Sequence, residues 1–324
     1  MAVKANQKER PGEPGEDLSE PSSAVHLNTS RYQSPMDPQV VMAIKSLELR
    51  AKIVMDGFRT GQNRSPRHGF SVEFSEYRQY TQGDDPRFLD WKLFARTDRS
   101  YIRLFEDETN LRCYVVMDAS RSMDFGTPGY TKFDYGRTIA ASIAWMLNRQ
   151  GDAVGLTLFD EAVRLLVPAR YRPGQLRRLL VALEEPTSGK ETNPELALET
   201  AARRLNKQGL VVLVSDLLAD ISQIEEGLKL LRGCRHDLIV FQVLDPAELT
   251  LDIPNPHLFE DLETGQQVFA DPALVRSEFV DKIQEHNRQV RLACESVGAS
   301  FVQLTTDQPL ELALAEFLQA RRQR

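Results

Sequence analysis

From Leu111 to the end of the chain, short apolar runs alternate with stripes of helical period. Runs of strand type fall at 112–118, 153–159, 164–168, 210–216, 237–244 and 300–305. Within the first, Tyr114-Val115-Val116-Met117 has no polar position, the pattern of a strand covered on both faces. Between the runs, apolar residues recur every three or four positions. They are Phe133, Gly136, Ala140, Ile143, Ala144 and Leu147; then Leu176 to Leu183, Leu198 to Leu205 and Ile224 to Leu231. Phe279, Ile283, Val290, Ala293 and Val297 mark a longer helix, and Leu310 to Leu318 a last one. Buried strands alternating with one-sided helices predict an α/β fold, doubly wound, with a mostly parallel sheet and helices on both faces. Only Asp160 to Val163 separate the runs at 153–159 and 164–168. That gap is too short for a crossover helix, so these two predict an antiparallel hairpin at the sheet edge. A second hairpin is expected over Leu258 to Ala270, around Thr264-Gly265, just before the longest helix.

Upstream of Leu111 the pattern changes. Residues 1–37 are rich in Pro, Glu, Ser and Gln and carry almost no large apolar side chain, so they read as a disordered tail. Val40, Val41, Ile44, Leu47, Leu49 and Ile53 form an imperfect helical stripe ahead of Gly57. Ser71-Val72-Glu73-Phe74-Ser75 alternates like a strand, and Gly83-Asp84-Asp85-Pro86 is a turn signal. Leu89 to Leu93 and Tyr101 to Phe105 suggest further short strands, or a strand and a helical turn. The expected organisation is a tail (1–37), a helix with a small β-containing module (38–110), and an α/β domain (111–324).

Composition refines this little. The 324 residues are 41% apolar and 27% charged, ordinary for a globular chain of this size. A net charge of −7 without a basic stripe argues against a general nucleic-acid binder. Cys113, Cys234 and Cys294 are far apart and lack C-x-x-C spacing, so they read as thiols rather than disulfides or metal ligands. No apolar signal region follows Met1, and no run reaches the roughly 18 apolar residues of a membrane span. A cytoplasmic location is expected. H-x-x-x-H, G-x-S-x-G and G-x-x-x-x-G-K-[ST] patterns are absent from the sequence.

Candidate chemistry lies where strands end. Asp118 closes the first strand and is followed by Ser120 and Ser122, three oxygen-bearing side chains suited to a hard cation such as Mg²⁺. Asp216 closes the strand at 210–216, and Thr192-Asn193 stand just before a helix opened by Pro194. Ligands of open α/β sheets bind beyond such strand ends, at the point where the strand order reverses. The same residues also permit a plainer reading, with Asp118 satisfying loop amides, the hydroxyls capping helices, and Ser215 and Asp216 acting as a capping pair.

Taken in order, D-x-S-x-S after a strand, T-N-x-x-x-A-L opening a helix and an aspartate ending the next strand resemble the metal-ion-dependent adhesion site of von Willebrand factor A domains. The matching positions are Asp118, Ser120, Ser122, Thr192 and Asp216. The stretch from Glu73 to Arg96 is similar to the signature E-F-x-x-x-R-x-Y-x-x-G-D-D-x-R-x-I-D-W-x-x-x-A-R of the bacterial domain of unknown function 58 family, with Leu89 in place of isoleucine. That resemblance implies a von Willebrand factor A-like protein binding Mg²⁺ (or Mn²⁺). Its implied partners are a MoxR-type AAA+ ATPase, for which it would act as adaptor or co-chaperone, and other von Willebrand factor A-like proteins. An ion held by two carboxylates and three hydroxyls stays electrophilic and would accept a partner's carboxylate, a binding role without bond breaking. Asp84, Asp85, Arg87 and Asp90 are candidate partner-docking residues, or else a turn and ion-pair network. Two other functions remain open. One is a Mg²⁺-dependent hydrolase or phosphatase using Asp118, although Ser120 stands where haloacid-dehalogenase-type enzymes need a second acid. The other is a metal-free structural subunit.

Overall fold

The computed structural model describes residues 36–63, 76–79, 96, 101–104, 111–187, 194–205, 207–253, 255–260 and 267–322. Residues 1–35 of the expected tail (1–37), the strand at 71–75, the turn at 83–86 and the run at 89–93 lie outside these residues, as do Asp84, Asp85, Arg87, Asp90 and Thr192. In chain order the described elements begin with α1 (Pro38–Met42), α2 (Leu47–Asn63), β1 (Glu76–Gln79), β2 (Tyr101–Leu104), β3 (Arg112–Asp118) and α3 (Lys132–Arg149). Next come β4 (Ala153–Phe159), β5 (Val163–Arg170), α4 (Gln175–Leu183), α5 (Pro194–Arg204), β6 (Leu210–Ser215) and α6 (Ile221–Gly233). The chain continues through β7 (Asp237–Leu244), α7 (Pro246–Thr250), β8 (His257–Glu260), β9 (Gln267–Ala270), α8 (Pro272–Ser296), β10 (Ser300–Thr305) and α9 (Leu310–Arg322).

Six strands form one sheet in the order β10-β7-β6-β3-β4-β5, parallel throughout except for the β4–β5 edge pair. This is the doubly wound sheet expected from the alternation. Its period of two divides the core into two halves. Val115 and Met117 of β3 point to a core shared with α3, α4 and α9, whereas Tyr114 and Val116 point to one shared with α5, α6 and α8. The second hairpin is also present, with β8 and β9 pairing antiparallel just ahead of the 25-residue α8. A separate antiparallel pair joins β1 and β2, so Tyr101–Leu104 is a strand.

The N-terminal helical segment differs from the sequence expectation. The stripe over 40–53 is split into α1 and α2, because the Ser46 hydroxyl accepts from the Leu49 amide and starts a new helix. Gly57 lies inside α2 instead of ending it. A Cβ there would stand 2.6 Å from Met36 Cε and 3.0 Å from Glu311 Oε1, so the bare glycine lets α2 approach its neighbours. Leu47, Ala51, Val54, Met55 and Phe58 enter the same core as α3 and α9. The segment 38–63, grouped from sequence with the module after it, therefore packs as part of the α/β core. It also explains why α3 is buried well beyond its one predicted stripe, at Tyr135, Ile139, Ala141, Ser142 and Met146 as well.

Truncating Phe58, only 3% exposed, to alanine tests this assignment. Phe58→Ala is expected to cost about 3–5 kcal/mol in the single cooperative transition of the whole domain, measured by urea unfolding. A loss under about 1 kcal/mol would mean that α2 lies outside the core.

Candidate metal centre at the sheet switch point

β3 lies between β4 and β6. The chain leaves β3 toward α3, on one face of the sheet, and leaves β6 toward α6, on the other. The carboxyl ends of these neighbouring strands therefore flank the crevice where an open α/β sheet binds its ligand. Both predicted acids are there and both are buried, Asp118 at 1% and Asp216 at 3% exposure.

Asp118 is held on both oxygens. Its Oδ1 accepts the Ser120 amide at 2.9 Å, and its Oδ2 accepts the Ser215 hydroxyl at 2.6 Å. Ser215 Oγ in turn accepts the Leu217 amide at 3.1 Å. Burial, and secondarily the nearby charge of Asp216, raise the Asp118 pKa against the pull of these hydrogen bonds. Ser120 is fully buried and Ser122 half-buried; their hydroxyls share a hydrogen bond of 3.0 Å. The structure thus brings Asp118, Ser120, Ser122 and Asp216 to one crevice. Thr192, the fifth expected position, falls outside the described residues, but Thr187 shortly before it donates to Asp124 at 2.7 Å, beside the D-x-S-x-S loop.

Sequence reasoning missed the largest electrostatic feature of the site. Lys132, the first residue of α3, has no exposed surface. Its Nζ donates to Asp216 Oδ2 at 2.8 Å and to Glu248 Oε1 at 2.6 Å. A cation at a helix N-terminus faces the positive end of the helix dipole, so local propensity opposes this placement and the two acids override it. Burial works to lower the Lys132 pKa, and the charges of Asp216 and Glu248 outweigh it, so the ammonium is held above its ordinary value. Burial raises the Glu248 pKa even with Lys132 beside it. The available signal was a lysine opening an otherwise apolar helix stripe twelve positions after a D-x-S, which has no meaning until a partner acid is known.

The loop over 119–131 is tied down throughout. The Lys132 amide donates to the Phe125 carbonyl at 2.8 Å, and Thr131 and Asp134 form a capping box at the start of α3. Thr127 donates to Asp245 through its amide at 2.8 Å and its hydroxyl at 2.7 Å, and the Tyr130 hydroxyl donates to the Thr306 carbonyl at 2.7 Å. One turn into α3, Gly136 leaves room for Val214 and Met117, which a Cβ would meet at 3.1 and 3.2 Å. Opposite, Leu217 adopts the left-handed region at φ +53°, where residues with side chains are uncommon. Its carbonyl is hydrogen-bonded to His286 Nε2 at 2.7 Å, and the Asp216 carbonyl accepts from Gln242 at 3.1 Å. Backbone strain of this kind persists where the surroundings enforce it, often at functional sites.

Among the described residues, no cluster of three or more His, Cys, Asp or Glu is arranged to hold a metal ion. The donor set here rests on hydroxyls. Adjacent ligands of an octahedral Mg²⁺ with ~2.1 Å bonds lie about 3 Å apart. The 3.0 Å between Ser120 Oγ and Ser122 Oγ matches that edge, so these two could hold the ion, with Asp118 behind them as acceptor of the water-bound protons. Asp216 is less free, because Lys132 already holds one of its oxygens.

The sheet order and the antiparallel edge define a doubly wound α/β domain, with Asp118 and Asp216 at its switch point. Residues 76–289 match the family model described as "Protein of unknown function DUF58", and the chain belongs to that family. The uncharacterized protein Rv1480 of Mycobacterium tuberculosis is 29% identical over 293 residues, spanning 88% of this chain and 91% of that protein. The uncharacterized protein MAV169 of Mycobacterium avium is 26% identical over 160 residues, 48% of this chain and 94% of that one. Similar solved structures include the conserved hypothetical protein BatB from Bacteroides thetaiotaomicron, at TM-score 0.41 and 13% identity, covering 65% of this chain and 99% of that one. The VWA domain of SpRpn10 overlaps with TM-score 0.35 and 12% identity, over 64% of this chain and 94% of its own. No helix among the described residues is long and apolar enough to cross a membrane.

Replacing Lys132 with methionine leaves Glu248 and Asp216 without their cation. Lys132→Met is expected to cost roughly 3–5 kcal/mol at neutral pH, read from urea unfolding. The deficit shrinks as pH falls into the acidic range: burial already raises the Glu248 pKa, and without the Lys132 charge that lowers it the carboxyl takes up a proton more readily, which relieves the cost of its unpaired charge. A deficit independent of pH would contradict the ion-pair account.

Proposed function

We propose that the chain is a non-enzymatic protein-interaction module whose crevice engages a partner's acidic residue through a bound Mg²⁺ or Mn²⁺. The observation that carries this reading is the pair of hydroxyls of Ser120 and Ser122, 3.0 Å apart beside a buried Asp118. A divalent cation bound there supplies an electrophilic centre with a coordination position for an outside carboxylate. The chain's own residues orient and pre-form the site. Ser215 and the Ser120 amide fix the Asp118 carboxylate, and Thr127 and Tyr130 fix the loop. Four exposed apolar side chains support a docking role for the domain. Leu258, Val268, Phe269 and Leu274 are 58%, 61%, 72% and 81% exposed, on the segment that follows β7.

Asp118 is a poor candidate for a phosphatase nucleophile. At 1% exposure, and tethered by a hydrogen bond through each of its oxygens, it is poorly exposed to a bulky phosphate ester. As partner we propose a MoxR-type AAA+ ATPase, with other von Willebrand factor A-like proteins as further candidates, on the strength of the family resemblance and a crevice suited to an acidic side chain.

Pull-down and calorimetric titration against a MoxR-type ATPase test the reading. Binding is expected in Mg²⁺ and is expected to weaken roughly tenfold or more in chelator or in Asp118→Ala, whose far-UV spectrum stays native. Undiminished affinity in chelator would overturn the metal bridge, and no binding in any condition would overturn the choice of partner.

A further inference from the structure

Lys132 places a full positive charge against one of the two acids that the cation would use. Three acids, Asp118, Asp216 and Glu248, surround the crevice with this one ammonium among them. The ammonium has no exposed surface, so it cannot retreat to solvent when an ion arrives. Asp216 is held from the other side as well, since its Oδ1 lies 3.4 Å from the Leu218 amide and its carbonyl accepts from Gln242. Glu248 is held differently. It sits on α7, is 17% exposed along its side chain, and its second oxygen accepts the Asp245 amide at 2.8 Å. Of the two acids on Lys132, Glu248 is thus the one nearer to solvent, and Asp216 the one on the strand beside Asp118.

We propose that Lys132 is an internal counter-cation that competes with the metal ion for Asp216, and that Glu248 sets the strength of this competition by drawing the ammonium toward itself. The inference rests on the metal-dependent reading of the crevice. In it, Ser120 and Ser122 supply the direct protein ligands, and Asp216 serves the ion at a distance while Lys132 holds it. Cation affinity is then low by construction. It rises when Lys132 loses its charge and falls when Glu248 loses its own, because the whole ammonium then rests on Asp216. Lys132 and Glu248 are positioning and affinity-setting residues, neither of them a ligand.

The test is Mn²⁺ binding to the full chain, followed by the electron paramagnetic resonance signal of free Mn²⁺, for the wild type, Lys132→Gln and Glu248→Gln. Thermal melts by circular dichroism verify that each variant is folded. Lys132→Gln is expected to bind Mn²⁺ tighter by roughly tenfold or more, and Glu248→Gln weaker by about threefold or more. A wild type too weak to measure beside a Lys132→Gln that binds supports the proposal equally. Should Lys132→Gln fail to fold, the direction of the Glu248→Gln change decides alone. Wild-type binding with both variants within about twofold of it overturns this inference and leaves the metal reading intact. Millimolar Mn²⁺ left free by all three folded proteins overturns both.

Discussion

A lysine sealed from water has to be neutralised where it stands, and much of this domain's functional end is arranged around that requirement. Burying an ammonium alone costs several kcal/mol, so Lys132 is tolerable only with acids in direct contact. Asp216 arrives at the end of β6 and Glu248 on α7, 84 and 116 positions from Lys132 and on different strand exits of the sheet. The ion pairs therefore fix the start of α3, the end of β6 and the segment after β7 against one another. Among the described residues the surface salt bridges have less leverage, since exposed pairs such as Lys282–Glu278 are screened by solvent and contribute little.

This arrangement also accounts for the character of the site. The D-x-S-x-S loop is not left to find its own conformation. It is braced by Asp245 through Thr127, by the C-terminal end of β10 through Tyr130, and by its own capping box. Ser215 links the two strand ends by giving its hydroxyl proton to Asp118 and accepting the amide of the strained Leu217. A site so fully pre-formed has little left to reorganise on binding, which suits recognition. The balance of charge follows the same logic, with one fixed cation partly offsetting three acids.

The layered fold was legible because buried strands and one-sided helices have different periods, and the core divides along β3 at alternate residues, as a pleated strand requires. The four-residue gap that predicted an edge hairpin is a matter of chain length, and β4 and β5 obey it. At 38–63 the pattern misled, since Gly57 looked like a helix end when its lack of a side chain makes room for Met36 and Glu311, a contact between residues remote in sequence. The site divides in the same manner. Asp118, Ser120, Ser122 and Asp216 announce themselves because strand ends and spacing are local. Lys132 and Glu248 do not, because an ion pair spanning 116 positions has no local signature.

The account stands on the serine pair as the ion's direct protein ligands, with Asp216 kept by Lys132. The most direct measurement is an anomalous difference map from crystals of the protein soaked in Mn²⁺. The account predicts a peak within bonding distance of both Ser120 Oγ and Ser122 Oγ, with the Lys132–Asp216 contact intact. A peak bonded to Asp216 with Lys132 displaced, or no peak in this crevice at saturating Mn²⁺, would contradict it.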